Sequence, residues 1–301
     1  MNEFELIDEI IKTLGDVTLG DSVVIGPGDD SAAFRVPPGQ LLVSSIDTLV
    51  EGVHFPQGAP GDLIGYRALM VSLSDLAAMG AQPAMVLVAL TLASADVEWV
   101  TSLARGLRDA AQTTGVRIVG GNITKGATAI NVSVHGFAPE ESLLRRSGAS
   151  PGDGIYVTGE LGGAAAALAR GDLLEFGDDL DALASRYFRP QARLDVGVEL
   201  RGIASSAIDV SDGLLQDLHH LATNSAVAMA IETESLPLCP GASLEDALWG
   251  GDDYELCFTA VTELPTLSVP VARIGVVERG EGVWLDGKRV SPAGFQHFSG
   301  V

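Results

Sequence analysis

The amino-acid sequence predicts a two-domain protein of mixed α/β structure, of the α+β type. Short apolar runs bounded by Gly, Pro and Asp alternate with longer segments of helical periodicity. The chain has 301 residues, which is enough for two domains that each bury a core. Ser, Gly and Pro concentrate at 145–154, near the middle. We therefore expect an N-terminal domain over 1–140 and a C-terminal domain over 150–301.

The N-terminal half begins with MNEFELIDEIIKTLG, whose apolar residues have helical spacing. Apolar runs predict strands at 41–46, 85–92, 116–120 and 129–138. The segments 62–80 and 96–114 are predicted helices, with Asp62 and Asp96 as their caps. The segment IVGGNITKG (118–126) is predicted to be a strand that runs into a polar loop.

The C-terminal half continues the alternation of strands and helices. Strands are predicted at 155–159, 206–210, 227–232, 254–260 and 269–275, and helices at 162–171, 190–203 and 212–222. The acidic stretch 171–182 is interpreted as a solvated loop and helix start. Beyond the last strand, Gly-rich turns are expected up to the terminal GFQHF.

The charge balance limits the classes of partner. The 18 Lys and Arg stand against 40 Asp and Glu, and the formal net charge is −22. This charge repels a phosphate backbone and provides no basic stripe, so we expect no nucleic-acid partner. A small anionic substrate requires divalent cations, or a few well-placed Arg and Lys, to screen it.

The sequence also predicts a cytoplasmic protein without a membrane span. The two Cys residues lack C-x-x-C spacing, and the N-terminus lacks the basic start and apolar run of a signal peptide. The uncharged segment 76–95 is about long enough to cross a bilayer, but Gly80, Gln82 and Pro83 break it into a helix and a strand.

Acidic residues cluster at predicted strand and helix ends, in GPGDDSAAF (26–34), SSIDTLVEGVHF (44–55), SLSDLAAMG (72–80) and SAIDVSDGLLQDL (206–218). Any one Asp in such a place is usually a cap or turn former. Asp47 and Asp75, however, are expected near buried surface, where a carboxylate is costly unless it is paired or binds a cation. Few Lys or Arg lie nearby in the sequence, which favours Mg²⁺.

Other polar residues leave alternatives open. His54 is either structural or functional, and the pair His219–His220 is interpreted as structural because no Glu is spaced for zinc. Arg145–Arg146 is either a phosphate-binding pair or part of a solvated linker. The sequence contains no G-x-x-x-x-G-K-[ST], G-x-S-x-G or H-E-x-x-H motif. Nucleotide phosphates would therefore be bound through metals and Asp.

The ordered motifs GPGDDSAAF, IDTLVEGVHF, LSDLAAMGAQPAMVLVALTL, IVGGNITKG, LRRSGASPGD, SAIDVSDGLLQDL, WGGDDYELCFT and GFQHF together resemble thiamine-monophosphate kinases, over nearly the whole chain. That family shares a superfamily with aminoimidazole ribonucleotide synthetase, selenophosphate synthetase and a hydrogenase-maturation factor. The resemblance implies a two-domain synthetase-like fold and a homodimer whose N-terminal sheets pair. It also implies ATP with several Mg²⁺ ions, and phosphorylation of thiamine monophosphate to thiamine diphosphate.

The resemblance also implies roles for individual residues. The metal ligands would be Asp30, Ser45, Ile46 through its carbonyl, Asp47, Asp75, Asn122, Asp209 and Asp212. ATP would contact Gly120, Gly121, Arg146 and Ser211, and thiamine phosphate would contact His54, Asp252 or Asp253, and Phe295. No side chain would act as a catalytic base, because phosphate is already ionised near neutral pH.

Three positions depart from the family pattern. Ile46 stands where the family usually has Thr, Asn122 where it has Asp, and Asp252 where it has Glu. Asn122 retains an oxygen but loses a charge, so it should weaken one Mg²⁺ site. These departures leave two alternatives to the kinase: a paralog that binds nucleotide or thiamine phosphate without turnover, and a superfamily synthetase with another acceptor.

Overall fold

The computed structural model describes residues 3–173, 180–261, 264–292 and 294. The chain separates into two compact units. The first unit contains residues 1–76 and 81–140, and the second contains 77–80 and 141–301.

The described part of the first unit combines a four-stranded sheet and the separate pair β1–β2 with three helices. Its strands are β1 (Val23–Ile25), β2 (Ala33–Phe34), β3 (Gln40–Val50), β4 (Gln82–Leu92), β5 (Arg117–Lys125) and β6 (Ala129–Pro139). Its helices are α1 (Glu3–Leu14), α2 (Gly61–Ala78) and α3 (Val97–Thr114). Strands β3, β6, β4 and β5 form one sheet in that order, and only β4 and β5 are parallel.

The two faces of this sheet differ in exposure. On β6, the buried Ile130, Val132 and Val134 alternate with partly exposed polar residues, as expected for a strand covered on one side. Helix α2 lies on the covered face, where it contacts Ser45 of β3. The other face, called here the open face, carries the exposed Leu42 (46%).

Glycines allow α2 and α3 to pack closely. A Cβ on Gly65 of α2 would lie 2.1 Å from the carbonyl oxygen of Leu103, and a Cβ on Gly106 of α3 would lie 1.9 Å from that of Asp62. Any side chain at these positions would therefore push the helices apart. This contact sets the position of α2, which carries Asp75.

The second unit contains a seven-stranded mixed sheet with order β13-β12-β9-β11-β7-β10-β8, in which only β12 and β9 pair in parallel. Its strands are β7 (Gly154–Thr158), β8 (Ala204–Asp209), β9 (Ala228–Ile231), β10 (Leu256–Ala260), β11 (Val271–Glu278), β12 (Gly282–Leu285) and β13 (Lys288–Val290). Its helices are α4 (Gly163–Arg170), α5 (Ala182–Phe188), α6 (Leu194–Glu199), α7 (Leu214–Ser225) and α8 (Leu244–Trp249).

Helix α7 is held by an apolar face. Leu214, Leu218 and Leu221 follow helical spacing, are fully buried and join the core that also contains Ile155 and Ile208 of the sheet. The start of α7 is thereby fixed beside the end of β8.

Several element predictions for the N-terminal half are confirmed, and two are wrong. Strands β3 to β6 and helices α2 and α3 occur as expected, and Asp96 caps α3 by accepting a 3.1 Å bond from the Trp99 N–H. Helix α2 begins at Gly61, so Asp62 lies inside its first turn. The predicted loop in 118–126 is also wrong, because β5 continues beside β4 as far as Lys125.

The C-terminal half departs further from its prediction. The helix expected over 190–203 is reduced to α6, and the expected turns near the end instead form the hairpin β12–β13. Part of the acidic stretch 171–182 lies outside the described residues. Within the described part of the chain, no helix is both long enough and apolar enough to cross a membrane.

We predict that Gly65→Ala lowers the free energy of unfolding by about 2 kcal/mol, because the added methyl group would overlap the α3 backbone. Urea denaturation followed by circular dichroism measures the change. Arg105→Ala is the control, since Arg105 is exposed on α3. Equal stability of the Gly65 variant and the control would contradict the proposed helix contact.

Candidate active site

The first unit places two carboxylates together between β3 and α2. Asp47 lies on β3 and Asp75 on α2, and the Ser45 hydroxyl donates a hydrogen bond to Asp75 Oδ2. Ser72 hydrogen-bonds to Asp47 and precedes Asp75 by three positions, so both α2 residues lie on the same side of the helix. Asp47, Asp75, Ser45 and Ser72 are called here the β3–α2 cluster.

The β3–α2 cluster concentrates negative charge. Burial, together with the nearby charge of Asp75, raises the pKa of Asp47 to about 6. Among the described residues, no Lys or Arg forms an ion pair with either carboxylate. Two carboxylates and a hydroxyl without a cationic partner are a suitable donor set for a hard divalent cation.

Two other predicted metal ligands, Asp30 and Ile46, have exposed side chains. The Asp30 backbone N–H donates a 2.8 Å bond to Asp29 Oδ1 in an exposed turn. Ile46 is 65% exposed and points away from Asp47, as successive residues of a strand do. The role assigned to the Ile46 backbone carbonyl remains a prediction.

Asn122 lies on the other edge of the sheet. It pairs with Ala89, which pairs with Asn131, and Thr48 Oγ1 donates a 2.6 Å bond to Asn131 Oδ1. These four residues lie side by side across the sheet, and their side chains are on its open face. Asp47, the residue before Thr48, has its side chain on the covered face. Three strand spacings separate β5 from β3, or about 14 Å. Within one chain, Asn122 is therefore not beside Asp47.

Gly121, the second glycine of the Gly120–Gly121 pair, has a structural explanation. A Cβ on Gly121 would lie 2.0 Å from the carbonyl oxygen of Val88, so the pairing of β4 and β5 itself requires glycine there. The additional expectation, close approach of a nucleotide to this backbone, remains a prediction.

His54 is oriented by its own turn. The Val50 backbone N–H donates a 3.0 Å bond to His54 Nδ1. The Nδ1 atom must therefore be unprotonated, and the neutral ring carries its proton on Nε2. A half-buried imidazole with this tautomer can donate a hydrogen bond from Nε2 to an anion.

In the second unit, the segment 209–213 connects β8 to α7 and carries three predicted ligand residues. Asp209 is buried at the end of β8. The backbone N–H groups of Ser211 and Asp212 donate bonds of 3.1 and 3.2 Å to Asp217 Oδ2 in the first turn of α7. Asp217 thereby fixes the path of the segment.

Acidic groups also repel one another at the start of α7. Burial, followed by the charges of Asp209 and Asp212, raises the pKa of Asp217 to about 8. Asp212, Asp217 and His220 each offer one ligand atom, and these atoms lie within 4.8 Å of one another. Burial and then the nearby Arg146 lower the pKa of His220, which places a cation close to these carboxylates.

The loop 250–254 packs directly on the segment 209–213. The backbone N–H groups of Asp252 and Tyr254 donate 2.9 Å bonds to the carbonyl oxygens of Ser211 and Val210. A Cβ on Gly251 would lie 2.4 Å from the Ser211 carbonyl oxygen. This close approach requires glycine at position 251. Together with the hydrogen bonds, it holds the loop 250–254 rigidly against the segment 209–213.

The two acidic residues of this loop have different environments. Asp253 Oδ1 accepts a 2.8 Å bond from the Gly162 N–H, while Oδ2 is buried and has no partner among the described residues. Burial raises the pKa of Asp253 well above its usual value. Asp252 is half-buried and accepts a 2.7 Å bond from the Tyr254 hydroxyl. Asp252 is therefore the better candidate for binding substrate, and the predicted Phe295 lies outside the described residues.

Sequence reasoning assigned no role to three residues that organise these clusters: Ser72, Asp217 and Tyr254. The helical spacing of Ser72 and Asp75 is a signal that could have identified Ser72. The Asp217 carboxylate accepts from the segment 209–213 and the Tyr254 hydroxyl donates to Asp252, and neither contact has a comparable sequence pattern.

Comparisons with known proteins show the family of the chain. Residues 28–138 match the model of the AIR synthase related protein, N-terminal domain. The chain is 40% identical to the thiamine-monophosphate kinase of Escherichia coli (strain K12), over 99% of this chain and 98% of the relative.

Solved structures show the same similarity. The thiamine-monophosphate kinase from Stenotrophomonas maltophilia K279a superposes with a TM-score of 0.87 at 38% identity, covering 96% of this chain and 98% of that one. The complex of AaThiL with AMPPCP and TMP superposes with a TM-score of 0.81 at 35% identity, covering 98% and 97%. With identity and coverage at these levels, the chain belongs to the thiamine-monophosphate kinase family.

Proposed function

We propose that this chain transfers the γ-phosphoryl group of ATP to thiamine monophosphate and releases ADP and thiamine diphosphate. The observation that carries the proposal is the 40% identity to the Escherichia coli kinase over 99% of this chain. The complex of a relative with AMPPCP and TMP supports both substrates. The grouped carboxylates support a reaction between two polyanions.

The β3–α2 cluster is proposed to hold Mg²⁺ through Asp47, Asp75 and Ser45, and the segment 209–213 to hold further Mg²⁺ through Asp209 and Asp212. Bound Mg²⁺ would neutralise phosphate charge and polarise the transferred group. Asp30 remains a proposed ligand from its exposed turn.

The chain's own residues are proposed to bind and orient the two substrates. Ser211 and Arg146 would bind the ATP phosphates, and the Nε2–H of His54 would donate to the acceptor phosphate. An oxygen of the acceptor phosphate forms a bond to the γ-phosphorus of ATP. At the same time, the bond between that phosphorus and the oxygen bridging the β- and γ-phosphates breaks. The acceptor is already ionised near neutral pH, so the proposed contribution of the protein is positioning and charge stabilisation.

A homodimer is also proposed, with the open face of the first unit at its interface. The edge strand β3 and the exposed Leu42, Ile46 and Leu87 support an interface there. Asn122 is about 14 Å from β3 within one chain and lies on the open face, so any ion that it binds is proposed to be separate from the ion at the β3–α2 cluster. The cytoplasm is the proposed location of the enzyme.

One observation favours a second candidate function. Asn122 provides less charge than the Asp usual in the family, so a protein that binds nucleotide or thiamine phosphate without turnover is the alternative. Incubation with ATP, Mg²⁺ and thiamine monophosphate, followed by ³¹P NMR, separates the two functions. New diphosphate signals that require the acceptor are expected, whereas binding without ATP loss would support the alternative.

We predict that Asp75→Asn abolishes turnover but stabilises the metal-free protein at pH 7.5. Above its pKa of about 6, ionised Asp47 opposes folding, and this penalty is relieved as the pH falls from about 6 toward 4. Removing the Asp75 charge reduces the repulsion. This should raise the free energy of unfolding by about 1 kcal/mol and the thermal midpoint by a few degrees.

Differential scanning fluorimetry in EDTA and in Mg²⁺ measures this prediction. Mg²⁺ should stabilise the parent more than the variant. Asp8→Asn, at an exposed position of α1, is the matched control and should change neither quantity. Full turnover by Asp75→Asn would mean that the cluster is structural.

We predict that Asn122→Asp lowers the Mg²⁺ concentration needed for half-maximal activity by about threefold to tenfold, because it adds a charge to a cation site. A Mg²⁺ titration of turnover at fixed ATP measures the change. Thr124→Asp, which adds the same charge on the exposed end of β5, is the control. A parent-like Mg²⁺ requirement would remove Asn122 from the proposed metal site.

A further inference from the structure

We propose that Tyr254 is a positioning residue for the acceptor substrate, because its hydroxyl fixes the direction of the Asp252 carboxylate. The inference rests on the proposed function, in which Asp252 contacts thiamine monophosphate. It adds a residue that acts through Asp252 and determines affinity for the acceptor.

The backbone of this loop has an uncommon conformation. Asp252 has φ +64° and Tyr254 has φ +52°, both in the left-handed region that residues other than glycine rarely occupy. Such conformations persist where the surroundings enforce them, and they concentrate at functional sites. Here the enforcement comes from the backbone hydrogen bonds to Val210 and Ser211.

The local chain path explains how the hydroxyl reaches the carboxylate. The Val210 N–H donates a 2.8 Å bond to the Glu255 carbonyl oxygen, so the β8–β10 pairing continues into the loop. The left-handed turn then brings the Tyr254 hydroxyl to 2.7 Å from Asp252 Oδ1. Tyr254 therefore orients Asp252 relative to Ser211, a proposed ATP-binding residue.

The Asp252 carboxylate favours contact with the cationic end of the acceptor over contact with its phosphate. A carboxylate repels a phosphate group and attracts a cation or an N–H donor. Thiamine monophosphate has a cationic thiazolium ring and an amino group on its pyrimidine. With Oδ1 bonded to the Tyr254 hydroxyl, Oδ2 of Asp252 can contact that cationic, amino-bearing part of the molecule.

Steady-state kinetics of Tyr254→Phe test the inference. The KM for thiamine monophosphate should rise about tenfold, while kcat and the KM for ATP stay within twofold of the parent. Isothermal titration of thiamine monophosphate in the absence of ATP should show the same loss of affinity. Tyr156→Phe is the control, because Tyr156 stacks on Phe258 within the sheet and should leave all three constants unchanged.

A double variant tests whether Tyr254 acts through Asp252 or only stabilises the loop 250–254. Asp252→Gly removes the carboxylate and accommodates the positive φ, and adding Tyr254→Phe to it should change the acceptor KM by less than twofold. A parent-like acceptor KM for Tyr254→Phe would overturn the inference, as would a tenfold further loss in the Asp252→Gly background. Absence of binding and turnover in the parent would instead reject the proposed function.

Discussion

Burial of carboxylates close to one another is the constraint on which both candidate clusters depend. Asp47 faces Asp75 in the first unit, and Asp217 lies near Asp209 and Asp212 in the second. Each arrangement opposes folding at neutral pH, because burial first, and nearby like charge second, disfavour the ionised forms of Asp47 and Asp217. The surrounding fold must therefore stabilise these positions.

Close backbone packing provides that stabilisation. In the first unit, Gly65 and Gly106 allow α2 and α3 to touch, which holds Asp75 opposite β3. In the second unit, Gly251 allows the loop 250–254 to lie against the segment 209–213. The glycines of these motifs therefore have a packing role that is independent of any ligand.

The sequence predicted the main elements of the fold, because apolar periodicity is a local property. It failed where a neighbouring strand decided the outcome. Two glycines and an Asn in IVGGNITKG disfavour a strand, yet the segment continues as β5 because β4 provides hydrogen-bonding partners up to Lys125. The hairpin β12–β13 is similar, since β12 depends on parallel pairing with β9.

The sequence by itself determined the residue types of the site: many Asp, few cations, and an ordered set of motifs that resemble one enzyme family. Only the tertiary structure decided which of these residues meet. It paired Asp47 with Asp75, placed Asn122 on the opposite edge of the sheet, and turned Asp253 inward while Tyr254 holds Asp252. Such contacts depend on sheet order, helix packing and left-handed turns, and these are set by residues far apart in the chain.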